Sequence, residues 1–413
     1  LKSLIFILLV LQPLVNKLTL KSGVPFDVYN ELISLAVFLL YALQVLQKKK
    51  IASIALLFLI LVAYMTLNVV AKNIYPLGFL QIAIYSQWFF YFLYYHSLSE
   101  DAKIRTMVDI KYILDKVLIF MVFFGVFELF FYAEYRAFLD VKSFNRGLGG
   151  FYMVSIFGSG ASLANFMSFY LMVWFYFHYG LGYSIARKDK IFLVIAFMFL
   201  VLSFSRKEVL FMFLFLMFFP FSYRSTLRKW FRKIILFAGV VTGLLIYYLV
   251  FFSEANQVAF GDKYIRWRIA GKSGEILMDN LPWGTGVGTF GSRVSLMVTD
   301  IYKKYDIGPE MLGYRSLGQL RGPIYDAFFF TFTTEMGIGI LLFLFFFFKL
   351  FNARALNENK AKTYIKNFLI LYVLGLSVFQ PVLISSFGYL CAIFLGLSIH
   401  RIPLLKFRTY AKI

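Results

Sequence analysis

The sequence predicts an all-α, polytopic integral membrane protein with about twelve spans and one long loop on the non-cytoplasmic side. Three observations predict it. The 413 residues are 61% hydrophobic and only 15% charged, with mean hydropathy +0.76. Soluble domains run about 45–50% apolar and about 25% charged. Apolar runs of span length recur from one end of the chain to the other, so a single membrane domain over 1–413 is the simplest organisation. Lysine and arginine fall in short clusters between those runs.

Spans are expected at 2–18, 28–47, 51–71, 75–97, 112–132, 157–180, 190–205, 207–222, 234–252, 327–350, 367–385 and 386–400. Stretches of about 17–25 apolar residues match the bilayer core. The first run, Leu4 to Leu14, is followed by no small-residue cleavage site, so it reads as a span rather than a signal segment. Two pairs are crowded. The pair around Phe204–Lys207 also reads as one broken span, and the last two are similarly close.

The basic clusters are Lys48-Lys49-Lys50, Lys103 to Lys111, Arg187 to Lys190, Arg224 to Lys233, Arg354 to Lys366 and Arg401 to Lys412. With Lys48–Lys50 set in the cytoplasm and the spans alternating, every cluster falls on that side, and both termini with them. The net charge of +21 therefore reads as a positive-inside bias and not as a nucleic-acid surface. The 53 Phe and 28 Tyr suit lipid-facing surfaces and interfacial belts. A single cysteine, Cys391, excludes a disulfide within the chain and makes a thiolate metal site implausible.

Two outward segments exceed ordinary turns. One runs from Ala133 to Phe157. The other, 253–325, is long enough to be functional or a small folded element. No repeat of 20–50 residues is visible, nor the inverted halves of many transporters.

The chain has no Walker A, Rossmann glycine or HExxH pattern, and no Asp-x-Asp pair. Its histidines, His96, His178 and His400, sit near predicted cytoplasmic ends and read as interfacial. The outward side holds the arginines. Arg146 lies in Asn145-Arg146-Gly147-Leu148-Gly149-Gly150, and Arg206 in Ser203-Phe204-Ser205-Arg206-Lys207-Glu208. Arg266, Arg268, Arg293, Arg315 and Arg321 lie in the long loop. Guanidinium groups bind phosphates in a planar, bidentate way, and charges at membrane depth are usually functional. The plainer reading is snorkelling to headgroups.

The long loop also contains Asp279-Asn280-Leu281-Pro282-Trp283-Gly284-Thr285-Gly286-Val287-Gly288-Thr289-Phe290-Gly291. Gly286 and Gly288 permit positive φ and an anion-binding nest, with a simple turn as the plainer reading. Tyr325-Asp326 brings the chain back to the membrane. Glu335 follows nine residues later, about 13 Å deeper along a helix. A carboxylate at the mouth, near arginines, suits a general base. A buried Glu335 reads more simply as a structural hydrogen bond or ion pair.

Taken in this order, the pieces resemble the O-antigen polymerase and ligase superfamily of bacterial membrane glycosyltransferases, a GT-C-like class with a large periplasmic loop. Its pattern is an Arg-Gly segment, here Arg146-Gly147, before a small-residue stretch, here Gly158-Ser159-Gly160-Ala161 with Asn165. A Ser-Arg pair then opens a later span, here Ser205-Arg206. The periplasmic loop carries an arginine (Arg268 or Arg266), Asp279-Asn280 with Pro282, and Gly286-x-Gly288-x-Phe290-Gly291. It closes on Asp326 and Glu335-Met336-Gly337, with Gly339 one residue earlier than the pattern has it. The ligases of this family resemble one another in a loop histidine that is missing here. Asp326 holds the corresponding site, which favours polymerase over ligase. A flippase or other transporter is the reading from a different class.

The resemblance implies metal-independent, inverting transfer of a glycan from undecaprenyl diphosphate to a second lipid-linked repeat unit, at the periplasmic face of a bacterial inner membrane. It implies Arg206, Arg268 and Asp326 as catalytic. Arg146, Arg266, Gly286, Gly288, Arg321, Tyr325 and Glu335 would contact diphosphate or glycan. It implies no metal and no cofactor. The partners it implies are the undecaprenyl-diphosphate-linked glycan, membrane lipid, and a chain-length regulator and flippase of the same pathway, with no nucleic acid.

Overall fold

The computed structural model describes residues 2–22, 29–48, 50–139, 141, 152–222, 265–292, 294–298, 300–307, 328–400 and 404–406. Among these, the regular structure is helical but for one antiparallel pair of short strands, β1 (Lys50–Ala52) and β2 (Leu404–Lys406), and an isolated bridge between Ala355 and Ile399. The first nine helices are α1 (Lys2–Ser22), α2 (Tyr29–Lys48), α3 (Ser53–Ala71), α4 (Leu77–His96), α5 (Glu100–Phe130), α6 (Tyr132–Phe138), α7 (Gly160–Phe175), α8 (Arg187–Leu202) and α9 (Arg206–Ser222). The long loop holds α10 (Ile265–Asp279) and α11 (Asp300–Lys304). After it come α12 (Phe328–Met336), α13 (Ile340–Asn352), α14 (Lys360–Ser377) and α15 (Ser386–Ser398).

Helices occupy eleven of the twelve segments expected to span; the ninth, 234–252, lies outside the described residues. Among the described residues, three helical runs are long and apolar enough by themselves to cross a membrane: α2, α3 and the α12–α13 run Phe328–Asn352. The Lys2–Val15 stretch and α15 are shorter apolar helices. The described residues are thus mostly helical, and their long apolar helices are those of a membrane protein.

Local chemistry explains where the helices depart from the expected bounds. The crowded pair is two helices, α8 and α9, broken at Ser203–Ser205, where Phe204 takes φ +51°. The fifth helix starts at Glu100, well before 112. Ser99 caps it, accepting from the Ala102 amide at 3.4 Å, and Glu100 and Asp101 favour the positive end of its dipole. The tenth span is interrupted by a 3-10 turn at Gly337–Gly339, with Gly337 at φ +55°. The described part of the long loop is a folded element. Its own small core is built from Ile269, Ile276, Phe290, Leu296 and Tyr302.

Helix α4 is the centre of the bundle, packed by α2, α3 and α15. Trp88, Tyr91, Phe92 and Tyr95 on it are fully buried. Gly396 lets α15 come close, since a Cβ there would stand 2.6 Å from the Phe92 carbonyl oxygen. Small residues at such crossings let packing drive association where lipid offers no hydrophobic gain.

Contacts gather five connections at one end. The Lys48 ammonium donates to the Ser97 carbonyl (3.1 Å) and that of Lys103 to Ile399 (2.6 Å). The Asn359 amide donates to the Gly180 carbonyl (2.8 Å), and His400 lies 2.5 Å from Glu100. The β1–β2 pair joins the same end. Buried Lys366 donates to the carbonyls of Leu350, Phe351 and Ala353 at 3.1, 2.7 and 2.5 Å. It thereby satisfies orphan acceptors at the end of α13. These are basic connections that the sequence sets on one side; Arg224 to Lys233, and Arg401 to Lys412 apart from the backbone of 404–406, lie outside the described residues.

Candidate functional site

At the opposite end, polar side chains from α3 and α4 meet the glycine loop. The Asn68 amide donates to the Trp283 carbonyl (2.7 Å), and its oxygen accepts from the Val287 amide (3.1 Å). The Tyr64 hydroxyl donates to the Met336 carbonyl (2.8 Å), and the Tyr85 hydroxyl to Glu335 Oε2 (2.7 Å). The loop also pairs with the broken helix through its backbone. Thr285 N donates to Thr334 O (3.0 Å), Gly286 N to Glu335 O (3.2 Å) and Ile338 N to Pro282 O (2.8 Å). Phe290 N donates to Glu335 Oε1 at 2.9 Å, and Gly291 N to the Tyr302 hydroxyl at 3.0 Å.

Gly286 and Gly288 take φ +111° and +93°, so the expected backbone permissiveness is used. The donors, however, face inward. The amides of Thr285, Gly286, Val287, Phe290 and Gly291 all donate to protein acceptors. The acidic group that this loop holds is Glu335, which is fully buried. The nest expected for a substrate anion is therefore occupied, at these five amides, by the protein itself.

Helix α10 is tied to the same place. The Thr334 hydroxyl donates to the Ser273 carbonyl at 3.0 Å. Asn280 donates to the Ile276 carbonyl (2.7 Å) and to the Tyr305 hydroxyl (3.0 Å), and that hydroxyl donates to Asp279 (3.0 Å). The Asp279-Asn280 pair thus finishes α10 and fastens it to the chain after α11. Arg268 is half-buried on α10, and Arg266 lies in its first turn.

A second corner forms where α7 begins and α8 ends. Met153 N donates to Leu202 O (2.8 Å). A Cβ on Gly160 would stand 2.5 Å from the Ser203 carbonyl oxygen. The small-residue stretch thereby abuts the turn that presents exposed Arg206 at the start of α9. The Ser205 hydroxyl donates to buried Glu208. The Lys207 ammonium donates to Gln380 at 2.6 Å, and the Gln380 amide to Asn165 at 3.3 Å. Asn165, Gln380, Ser385, Phe157, Leu9 and Leu390 line a cavity of about 180 Å³ beside this corner.

An ion pair braces the corner. Arg136 donates to the Tyr152 carbonyl at 2.5 Å and lies 3.7 Å from Glu128. Its guanidinium sits between the rings of Tyr132 and Tyr152, at 4.3 and 4.1 Å. Glu128 accepts from the amides of Val154 and Ser155 at 3.0 and 2.8 Å.

The structure thus brings Gly286, Gly288 and Glu335 together, and sets Gly160 beside the Ser203–Arg206 turn. Arg146, Arg321, Tyr325 and Asp326 lie outside the described residues, as does the side chain of Arg266. Sequence reasoning missed Tyr64, Asn68, Tyr85, Glu128, Arg136, Lys207 and Gln380. Asn68 carried a signal, being a lone amide near the end of an otherwise apolar span. Among the described residues, no group of three or more His, Cys, Asp or Glu is placed to hold a metal ion. Comparisons with protein-family models and with curated proteins find no match to this chain.

Proposed function

We propose that this chain is a bacterial inner-membrane glycosyltransferase of the O-antigen polymerase type, which extends a glycan carried on undecaprenyl diphosphate at the periplasmic face. One observation carries the reading. The described segments of the resemblance form two corners, Gly160 against the Ser203–Arg206 turn and the glycine loop against Glu335, and both lie away from the basic connections. Twelve spans, with those connections in the cytoplasm, fit this arrangement.

In the proposed reaction, a hydroxyl of the acceptor repeat unit attacks the anomeric carbon of the donor glycan. The new glycosidic bond forms as the bond to the lipid diphosphate breaks, with inversion. The hydroxyl proton passes to Asp326, and the bond electrons leave with the diphosphate. Arg206 and Arg268 stabilise that growing charge, an effect that can be worth several kcal/mol when donors are preorganised. Arg146, Arg266 and Arg321 hold the remaining phosphate oxygens. The cavity beside Lys207 has apolar walls and an uncharged amide end, which suit the part of the substrate nearest the lipid.

Arg206→Ala tests the proposal in cells. The variant is expected to stay in the membrane while polymer is lost, leaving surface lipid capped by one repeat unit. Full-length polymer in that variant would refute the assignment. Loss of every repeat unit on gene deletion would instead indicate a ligase or flippase.

A further inference from the structure

We infer that Glu335 and Asn68 are positioning residues, which clasp the glycine loop to the bundle and so set where Arg268 stands; the activity arm of the test rests on the reading proposed above. Both Glu335 oxygens are taken, one by the Phe290 amide at 2.9 Å and one by the Tyr85 hydroxyl at 2.7 Å. Both ends of the Asn68 amide are taken, by Trp283 O at 2.7 Å and Val287 N at 3.1 Å. Glu335, which the resemblance would set against diphosphate or glycan, is instead fully buried on protein partners, so it is assigned no substrate contact, and Asn68 is nearly as buried. Three loop groups between Trp283 and Phe290 are thus held by two side chains, Glu335 is tied to α4 through Tyr85, and Gly286 N bonds the Glu335 carbonyl.

The clasp continues to the arginine. Thr334, next to Glu335, holds α10 through the Ser273 carbonyl at 3.0 Å. Arg268 stands on that helix, just over one turn before Ser273. A loop released from Glu335 loses the register that fixes α10 against α12.

A glutamine at position 335 separates positioning from charge. Its carbonyl oxygen accepts from Phe290 N. Its amide donates to the Tyr85 oxygen, and the hydroxyl turns from donor to acceptor. Both bonds survive and the acid is gone. At Asn68 no such substitute exists: aspartate cannot donate to the Trp283 carbonyl.

The test uses the purified full chain in lipid nanodiscs, with hydrogen exchange in the 285–291 peptide and polymer formation read side by side. Glu335→Gln is expected to match the parent in exchange and to keep activity within about threefold, while Glu335→Ala and Asn68→Asp exchange faster and lose about tenfold or more. Glu335→Gln as inactive as Glu335→Ala, with parental exchange, would overturn the proposal, because the acid itself would then be in use. So would parental exchange in Glu335→Ala. If Glu335→Ala does not accumulate, Tyr85→Phe keeps the ring against Phe328 and Phe332 and removes only the hydroxyl. Unchanged exchange in Tyr85→Phe counts against the clasp and faster exchange for it. If the parent makes no polymer, the proposed reaction fails while exchange still judges the clasp.

Discussion

Gly284 and Gly337 lie back to back across the junction of loop and helix. A Cβ on Gly284 would stand 2.5 Å from both Gly337 N and the Glu335 carbonyl oxygen, and one on Gly337 would strike Pro282 O and Gly284 N. Both take positive φ, +76° and +55°. The contact explains why the helix breaks where it does: the loop backbone occupies the space that a side chain would need.

Alanine at either glycine is expected to destabilise the docked loop by about 1–2 kcal/mol from the left-handed backbone alone. The clash adds to that. Thermal unfolding in detergent measures the loss. The double variant is expected to cost less than the sum, because both changes disturb one contact. Strict additivity would show that the two sites act separately.

Arg136 and Glu128 form the second test. Arg136→Met leaves a buried acid without its cation, with an expected loss of about 3–5 kcal/mol. Lysine does not restore it, because only a planar guanidinium fills the slot between Tyr132 and Tyr152. Adding Glu128→Gln to Arg136→Met is expected to recover part of the loss. A pair variant as unstable as the sum of its parents would count against the coupling.

Lys366 gives a third. Its ammonium serves three carbonyls at the end of α13. Lys366→Met strands them in a buried site, at an expected cost of about 1–3 kcal/mol. A melting midpoint equal to the parent's would mean that solvent already satisfies those carbonyls.

Much of the helix pattern was legible because lipid demands long apolar runs, and because basic residues punctuate them. The turn at Ser203–Ser205 was less so: Ser203 to Glu208 marked a break, read as two spans or one broken span, and the choice depends on Phe204 taking positive φ. Helix α10 could not be read from apolarity, since among its described side chains it buries one stripe, Ile269, Ser273 and Ile276. At the site, the glycines announced an unusual backbone. Nothing local said which way their amides face. That depends on Glu335, more than forty residues away, and on Asn68, more than two hundred. The β1–β2 pair was equally hidden, being two three-residue segments at nearly opposite ends of the chain.

That strand pair constrains the parity of the whole path. Residues paired in register, Ala52 with Leu404 and Lys50 with Lys406, lie side by side and are expected in one aqueous compartment. Between them an even number of passages is expected, whatever that number is. An impermeant thiol reagent that labels Lys50→Cys from one face must label Lys406→Cys from the same face, and a helix gained or lost between them must be matched by another.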